Sequence, residues 1–311
     1  MPGDYDLLVL GELNVDLILS GDVTPEWGQH EKLVDDAQLV PGASSVIFAC
    51  GAARLGLHTA YVGVVGDDMF GRFMREHLRS SGIDTTHLIV DPRIRTGATI
   101  HLSRPDGDRA MLTYLGSIAA LRAKQVDPEL LARTRYVHAG CYFLQHALQP
   151  GLPALFRRAR AVGAITSLDT NWDPDGRWAS GIDAVLAETD VFMPNRAEAE
   201  LITRTHAVDQ ALSLLAGQVQ IVAIKCGADG ALVARGAERV SVRPPQVTPV
   251  DTTGAGDSFD AGLIAALARG HPLRECAAVA VACGSLSTRA VGGTAAQPGW
   301  DEAWALAREC L

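Results

Sequence analysis

The chain has 311 residues, 48% of them hydrophobic and 20% charged, with a formal net charge of −9 and a pI near 5.4. That length can bury a large core, and an acidic chain with no basic run lacks the concentrated Lys and Arg that a nucleic acid or an acidic membrane would require. Six dispersed cysteines with no Cys-x-x-Cys pair, no apolar run of roughly eighteen residues, and a start (Met1-Pro2-Gly3-Asp4) without a basic region or apolar core predict a cytoplasmic protein with buried thiols and no metal cluster.

In chain order, Leu7 to Leu10 reads as a short buried strand running into Gly11-Glu12-Leu13-Asn14-Val15-Asp16, which places Asn14 and Asp16 on one side, two residues apart. Such groups suit a polyol, since a carboxylate accepts two hydroxyl hydrogens at once; a polar turn has the same composition. Further strands are expected at Ala60–Val65, Arg135–Ala139, Ala164–Leu168, Asp190–Met193 and Ile221–Ile224, with helical runs between them. This alternation predicts an α/β body with a parallel sheet covered on both faces. Two stretches, about 17–40 and 96–116, break the rhythm by alternating polar and apolar residues around turns such as Pro105-Asp106-Gly107-Asp108, and read as antiparallel strands.

Polar clusters sit at the strand ends. Asp169 and Asn171 follow the Ala164–Leu168 strand and are either substrate neighbours or surface-loop polarity. Asn195 and Glu198 share an early helical turn after Pro194, where they can hold water around magnesium or form a capping box. Lys225-Cys226-Gly227-Ala228-Asp229-Gly230 suits either close approach of a nucleotide or a plain hairpin turn. Gly66 to Phe73 has the glycine spacing of a phosphate loop but carries Arg72 and Phe73 where Lys and Ser or Thr are needed, so it is rejected as one. His138 and His146 fit neither a zinc pair nor a triad.

The densest signal is Asp251-Thr252-Thr253-Gly254-Ala255-Gly256-Asp257, followed by a helix with Phe259, Leu263, Ala266 and Leu267 on one face and Gly270 closing it. The small residues let the backbone approach a ligand, the first helical turn offers free N–H groups to a phosphate, and Asp257 stands where it can take a proton from an attacking hydroxyl.

This stretch resembles the Asp-Thr-x-Gly-Ala-Gly-Asp signature of the ribokinase-like (PfkB) carbohydrate kinase family. The likeness continues through Gly42 to Gly56, the Asn-x-x-Glu at Asn195–Glu198, the Lys-x-Gly-x-x-Gly at Lys225–Gly230, and the Thr288-Arg289 and Gly292-Gly293 region. The resemblance implies a three-layer αβα sandwich with a mostly parallel central sheet and a small β-sheet lid, the lid formed by the segments at about 17–40 and 96–116 of a single domain. It implies Asp257 as catalytic base and Gly254, Ala255 and Gly256 as anion hole. Asn14, Asp16, Gly42, Ala43, Arg109, Asp169 and Asn171 are expected on the substrate. Asn195, Lys225, Gly227, Gly230, Thr253, Gly254 and Gly256 are expected on ATP, Asn195 and Glu198 near Mg2+, and Asp251 beside a potassium ion. The pattern departs at Ala43, where the family has a second glycine, and at Ile47, which replaces a sugar-contacting Asn. The resulting expectation is an ATP-dependent kinase acting on a primary alcohol of a small sugar-like molecule, dimeric through the lid. A nucleoside kinase of the same fold and a non-catalytic sugar sensor are the alternatives.

Overall fold

The computed structural model describes residues 4–106 and 108–311, so Gly107 of the turn read at Pro105–Asp108 lies outside the described residues. The strands in chain order are β1 (Tyr5–Leu10), β2 (Asn14–Ser20), β3 (Asp36–Pro41), β4 (Thr59–Val62), β5 (Val64–Gly66), β6 (Ile89–Asp91), β7 (Gly97–Ser103), β8 (Arg109–Tyr114), β9 (Thr134–Ala139), β10 (Ile165–Leu168), β11 (Val191–Phe192), β12 (Ile221–Lys225), β13 (Ala231–Arg235) and β14 (Glu238–Val242). Eight of them form the main sheet in the order β14-β13-β12-β11-β10-β9-β1-β4. Its pairings are parallel from β4 across to β12, and β13 and β14 are appended as an antiparallel edge.

The sheet is buried on both faces, which is why its strands read as nearly unbroken apolar runs. Along β1 the side chains alternate, Leu7 and Val9 entering one core and Leu8 and Leu10 the other. Helices Ser44–Arg54, Ala255–Ala268 and Leu273–Ser287 cover the first face, and Leu152–Ala161 and Val208–Ala216 the second.

The sequence expectations need four corrections. The run Ala60–Val65 is two strands, because the chain leaves the main sheet at Gly63. A Cβ there would lie 2.6 Å from the Gly11 carbonyl oxygen, so this crossing admits only glycine, and β5 then pairs with β6. The helix Ala255–Ala268 is not one-sided. It is buried on all sides from Asp257 to Ala266, packed against both Ser44–Arg54 and Leu273–Ser287. The four-stranded sheet, β3-β2-β7-β8, is antiparallel at its two hairpin-like pairs but parallel between β2 and β7. The chain passes through the main body between β3 and β7, and the second pair enters in the same direction as β2. Finally, Asn14 and Asp16 lie at the start of β2 in this small sheet, rather than at the end of β1, and residues 21–35 contain no strand.

Phe156 is fully buried in the second core. Phe156→Ala is expected to lower the unfolding free energy by about 3–5 kcal/mol, measured by denaturant titration.

Candidate active site

Parallel strands of one sheet deliver their carboxyl ends to one edge, where open α/β sheets place their ligand crevices. Here β1 delivers Glu12, β9 delivers Cys141, β10 delivers Asp169 and Asn171, β11 delivers Asn195, and β12 delivers Lys225. The Lys225 amide donates to the Pro194 carbonyl, which sets Asn195 and Lys225 side by side.

Two cavities meet at this edge. One, of about 540 Å³, lies between the main sheet and the small sheet and is lined by Asn14, Asp16, Ala43, Asp169, Asn171 and Asp257, with Thr99, His101, Arg109 and Met111 entering from β7 and β8. The other, of about 490 Å³, is walled by Gly227, Gly230, Pro244, Pro245, Val247, Ala255, Phe259 and Val281. Lys225, Gly227 and Gly256 border both. Gly230 is held at φ 86°, and a Cβ there would run into the Val242 carbonyl, so the turn Gly227–Gly230 requires its second glycine.

In the first cavity, Asn14 Nδ2 donates to Asp16 Oδ1 at 2.9 Å, and His101 Nε2 faces Asp16 Oδ2 at 3.1 Å. Gly42 lines neither of these two cavities. It backs this pair, since a Cβ on it would sit 2.7 Å from Asn14 Nδ2 and closer still to Asp16 Oδ1. Ala43 follows at φ 72°, a backbone region that costs a side-chain-bearing residue roughly 1–3 kcal/mol, and its carbonyl accepts the first amides of the helix, Val46 and Ile47. Ala43 contributes no side-chain cap. Glu12 substitutes across space, accepting the Ser45 amide at 3.1 Å and the Ser45 hydroxyl at 2.5 Å. Burial pushes the Glu12 carboxyl up to about 7, against the pull of those bonds.

Ile47 fills the place where a polar contact was expected. It is buried, and Cβ atoms on Gly254 or Gly293 would strike it, so this side chain buttresses the Gly254 loop from below. Gly254 caps the Ala255–Ala268 helix at φ 72° with no side-chain partner. One correction applies to the expected anion hole. The Ala255 amide donates to the Thr252 carbonyl at 3.2 Å, and the amides of Gly256 and Asp257 are the ones in the first turn that find no acceptor among the described residues. Asp251 braces this loop from outside the cavities. Its oxygens accept the Thr253 amide and hydroxyl and the Gly292 amide, bonds that outweigh its burial and hold it below the usual carboxylate range. Arg109 reaches over from β8, its Nη1 2.9 Å from Thr253 Oγ1. Arg104 instead pairs with Asp108 at the exposed turn, 3.9 Å away.

Asp257 is buried in the wall of the first cavity, one residue after Gly256. Burial, followed by the nearby Asp169 charge, holds its carboxyl well above the ordinary range. Lys225 Nζ lies 3.0 Å from Asp169 Oδ2 and 3.0 Å from Asp260 Oδ2. Although burial opposes it, the Lys225 charge keeps Asp169 below its ordinary value. Asn195 and Glu198 form a full capping box, with Glu198 Oε1 2.7 Å from Asn195 Nδ2 and Oε2 2.8 Å from the Asn195 amide. Burial, then Asp169, pushes Glu198 up to about 7.

Sequence reasoning missed Glu12, His101, Trp172 and Asp260. Glu12 shares the every-second-residue parity of Asn14 and Asp16 and could have been found by it. The inward alternation of Gly97, Thr99 and His101 carried a similar signal. His138, by contrast, is a core residue, stacked on Phe48 at 3.9 Å and held neutral by burial, which lowers it to about 3. Tyr142 and Gln145, which follow β9, donate to backbone carbonyls within the loop packing, and Leu144 between them lines the cavity.

Residues 5–300 match the model of the pfkB family of carbohydrate kinases. The chain belongs to that family. Among relatives of this pfkB-family kinase, a fructokinase of Klebsiella pneumoniae is 30% identical over 314 residues, covering 94% of this chain and 96% of its own. An adenosine kinase of Sinorhizobium meliloti superposes with a TM-score of 0.84 at 26% identity, covering 99% of both chains. A ribokinase of Arabidopsis thaliana, solved with ribose and ATP, superposes with a TM-score of 0.84 at 21% identity over 98% of this chain and 99% of its own, a likeness of fold.

Because Gly42 leaves the space that Asp16 occupies, Gly42→Ala in this kinase should raise the KM for the acceptor about tenfold or more, the cost of displacing roughly one charge-assisted hydrogen bond, and leave the KM for the nucleotide within about twofold. Steady-state kinetics with each substrate varied would check the split.

Proposed function

We propose that this kinase transfers the γ-phosphoryl group of ATP to a hydroxyl, a primary alcohol, of a sugar, with Asp257 as the general base. The observation that carries the reading is the position of Asp257. It is a buried carboxylate in the acceptor cavity, one residue after Gly256, which borders the second cavity as well. An acceptor held by Asn14 and Asp16 and a triphosphate lying along Gly227 and Gly230 would meet there. Removal of the hydroxyl proton by Asp257 makes the oxygen a nucleophile, and the Gly256 and Asp257 amides, at the positive end of a fourteen-residue helix, face the charge that builds on the phosphoryl oxygens.

Pro244, Pro245, Val247 and Val281 give the second cavity the apolar walls that a purine ring needs. The relatives named for fructose and ribose kinases support a sugar acceptor. The small sheet acts as a lid in this reading, excluding water that would compete for the phosphoryl group. Its register lines up Leu39, Leu17, Ile100 and Leu112 across the strands on the face away from Asp16 and Thr99, with Leu39, Ile100 and Leu112 exposed, which favours a homodimer through the lid.

Magnesium fits the oxygen donors of Asn195 and Glu198, which line the acceptor cavity close to Lys225. When bound, it would neutralise charge on the transferring phosphate, and these residues would hold it through its water shell. A potassium ion beside Asp251 belongs to the same reading. Its support is the charged state of that carboxylate, whose lone pairs already serve the loop. A nucleoside acceptor is the second reading, favoured by apolar Ile47 and by the likeness to an adenosine kinase.

Asp257→Asn keeps the shape of the base without its basicity. Turnover should fall by about two to four orders of magnitude with ATP affinity little changed, as read by coupled assay and calorimetry with a panel of sugars and nucleosides. Because the Asp257 carboxyl is raised, the ionised base is lost as pH falls through that raised value. The acid limb of the kcat/KM profile should therefore lie above about 4, the ordinary value for an Asp.

A further inference from the structure

We propose that Lys225 is the counter-charge that keeps the base Asp257 ionised, and that Asp260, one helical turn further on, positions Lys225 by competing for it. The proposal rests on the assignment of Asp257 as the base.

Lys225 Nζ is the hub. It stands 3.0 Å from an oxygen of Asp169 on one side and 3.0 Å from an oxygen of Asp260 on the other. Oxygens of Asp169, Asp257 and Asp260 lie within 4.8 Å of one another, so Asp257 stands beside the two acids that hold the ammonium group. Asp257 and Asp260 are three apart on one helix and therefore on the same face. The lysine stem also lies alongside Gly256, where a Cβ would be 3.6 Å from Nζ. The second oxygen of Asp260 is fully buried and finds no hydrogen-bond partner. A carboxyl group left half-satisfied at 1% exposure is costly, burial holds it well above its ordinary range although Lys225 pulls the other way, and packing alone would be served better by an apolar residue at that position. The groups that act on Asp257 from the packed elements are Asp169 after β10, Lys225 at the end of β12, Glu12 after β1 and Ser44 at the head of its helix. Asp260 lies on its own helix and is repelled by Asp257, and Glu198 faces Asp169 and Lys225. Lys225 is the one cation in that set. Its own proton is secure, since Asp169 and Asp260 outweigh the effect of burial and raise it.

The test is the acid limb of kcat/KM against pH in the full-length enzyme, with the best acceptor and ATP, for Lys225→Met, Asp260→Asn and the double variant. Removing the cation should move the limb to higher pH, and removing its competitor should move it lower, each by about one unit or more. The double variant should fall between the singles. Lys225→Met leaves buried acids unpaired and can fail to fold. Asp260→Asn keeps the shape and the bond to Nζ, and it alone decides: a limb that stays in place or rises overturns the proposal. A merely structural role would change stability or the height of the profile and leave the limb unmoved. If Asp257→Asn is inactive while the limb does not move, the base assignment stands and this inference falls. An active Asp257→Asn enzyme sinks both.

Discussion

The structure turns on an imbalance of charge at one sheet edge. Glu12, Asp169, Glu198, Asp257 and Asp260 are all buried, and the mostly covered ammonium of Lys225 pairs with two of them. Desolvating a carboxylate costs several kcal/mol, so an excess of this kind persists only where the surrounding fold enforces it. Parallel strands enforce it here. Their side chains at the carboxyl ends have no freedom to withdraw, because β9, β10, β11 and β12 are fixed in register by neighbours on both sides. The raised values of Glu12, Glu198, Asp257 and Asp260 and the lowered value of Asp169 express one competition, in which only one of the two acids 3.0 Å from the lysine, Asp169, is held below its ordinary value. A cationic metal complex entering such a site is attracted by the same imbalance that destabilises the empty one.

Close backbone packing makes the imbalance possible. Ser45 lies between Gly11 and Gly140, where a Cβ on either glycine would strike it. This lets the Ser44–Arg54 helix approach the sheet closely enough for Glu12 to bind its first turn. Gly254 and Gly293 likewise make room for Ile47. The Ser44–Arg54 helix and the Gly254 loop are thus in direct contact, and a shift of one carries the other with it.

Much of this was legible in the sequence, for physical reasons that differ by element. The main-sheet strands announced themselves because burial on both faces demands unbroken apolar runs, and the predicted Ile221–Ile224 differs from the observed strand by a single residue. The split at Gly63 was hidden because a fully buried strand and a buried crossing have the same composition. The parallel pairing of β2 with β7 was hidden because register and direction depend on the path of the chain between them, which local alternation does not encode. At the site, Asp257 and its glycines stood out through the strict chemistry of their loop, and Asn195 and Glu198 through their spacing. Asp260 did not, since an acid inside a helix reads as a solvated residue until the fold shows that every side of that helix is covered. Lys225 read as a nucleotide contact, and only the convergence of β10 and β12 with the helix shows it held between two acids.

The same electrostatics bears on which acceptors the cavity can tolerate. Asp16 already receives Asn14 on one oxygen and His101 on the other, so its remaining lone pairs suit weak, directional donors such as hydroxyl groups and would repel an anion. Deeper in, Asp169 and Asp257 add charge of the same sign, while Ile47 closes the floor with apolar surface. The cationic side chain entering from β8, Arg109, is turned toward Thr253 beside the Gly254 loop. On the proposed reading, an anionic group on the acceptor would therefore be repelled except beside Arg109 and Lys225, where it would compete with the phosphoryl group being transferred. A neutral polyol would meet no such conflict: each hydroxyl would find a carboxylate or amide acceptor, and on the proposed reading the one nearest Asp257 would also find its base.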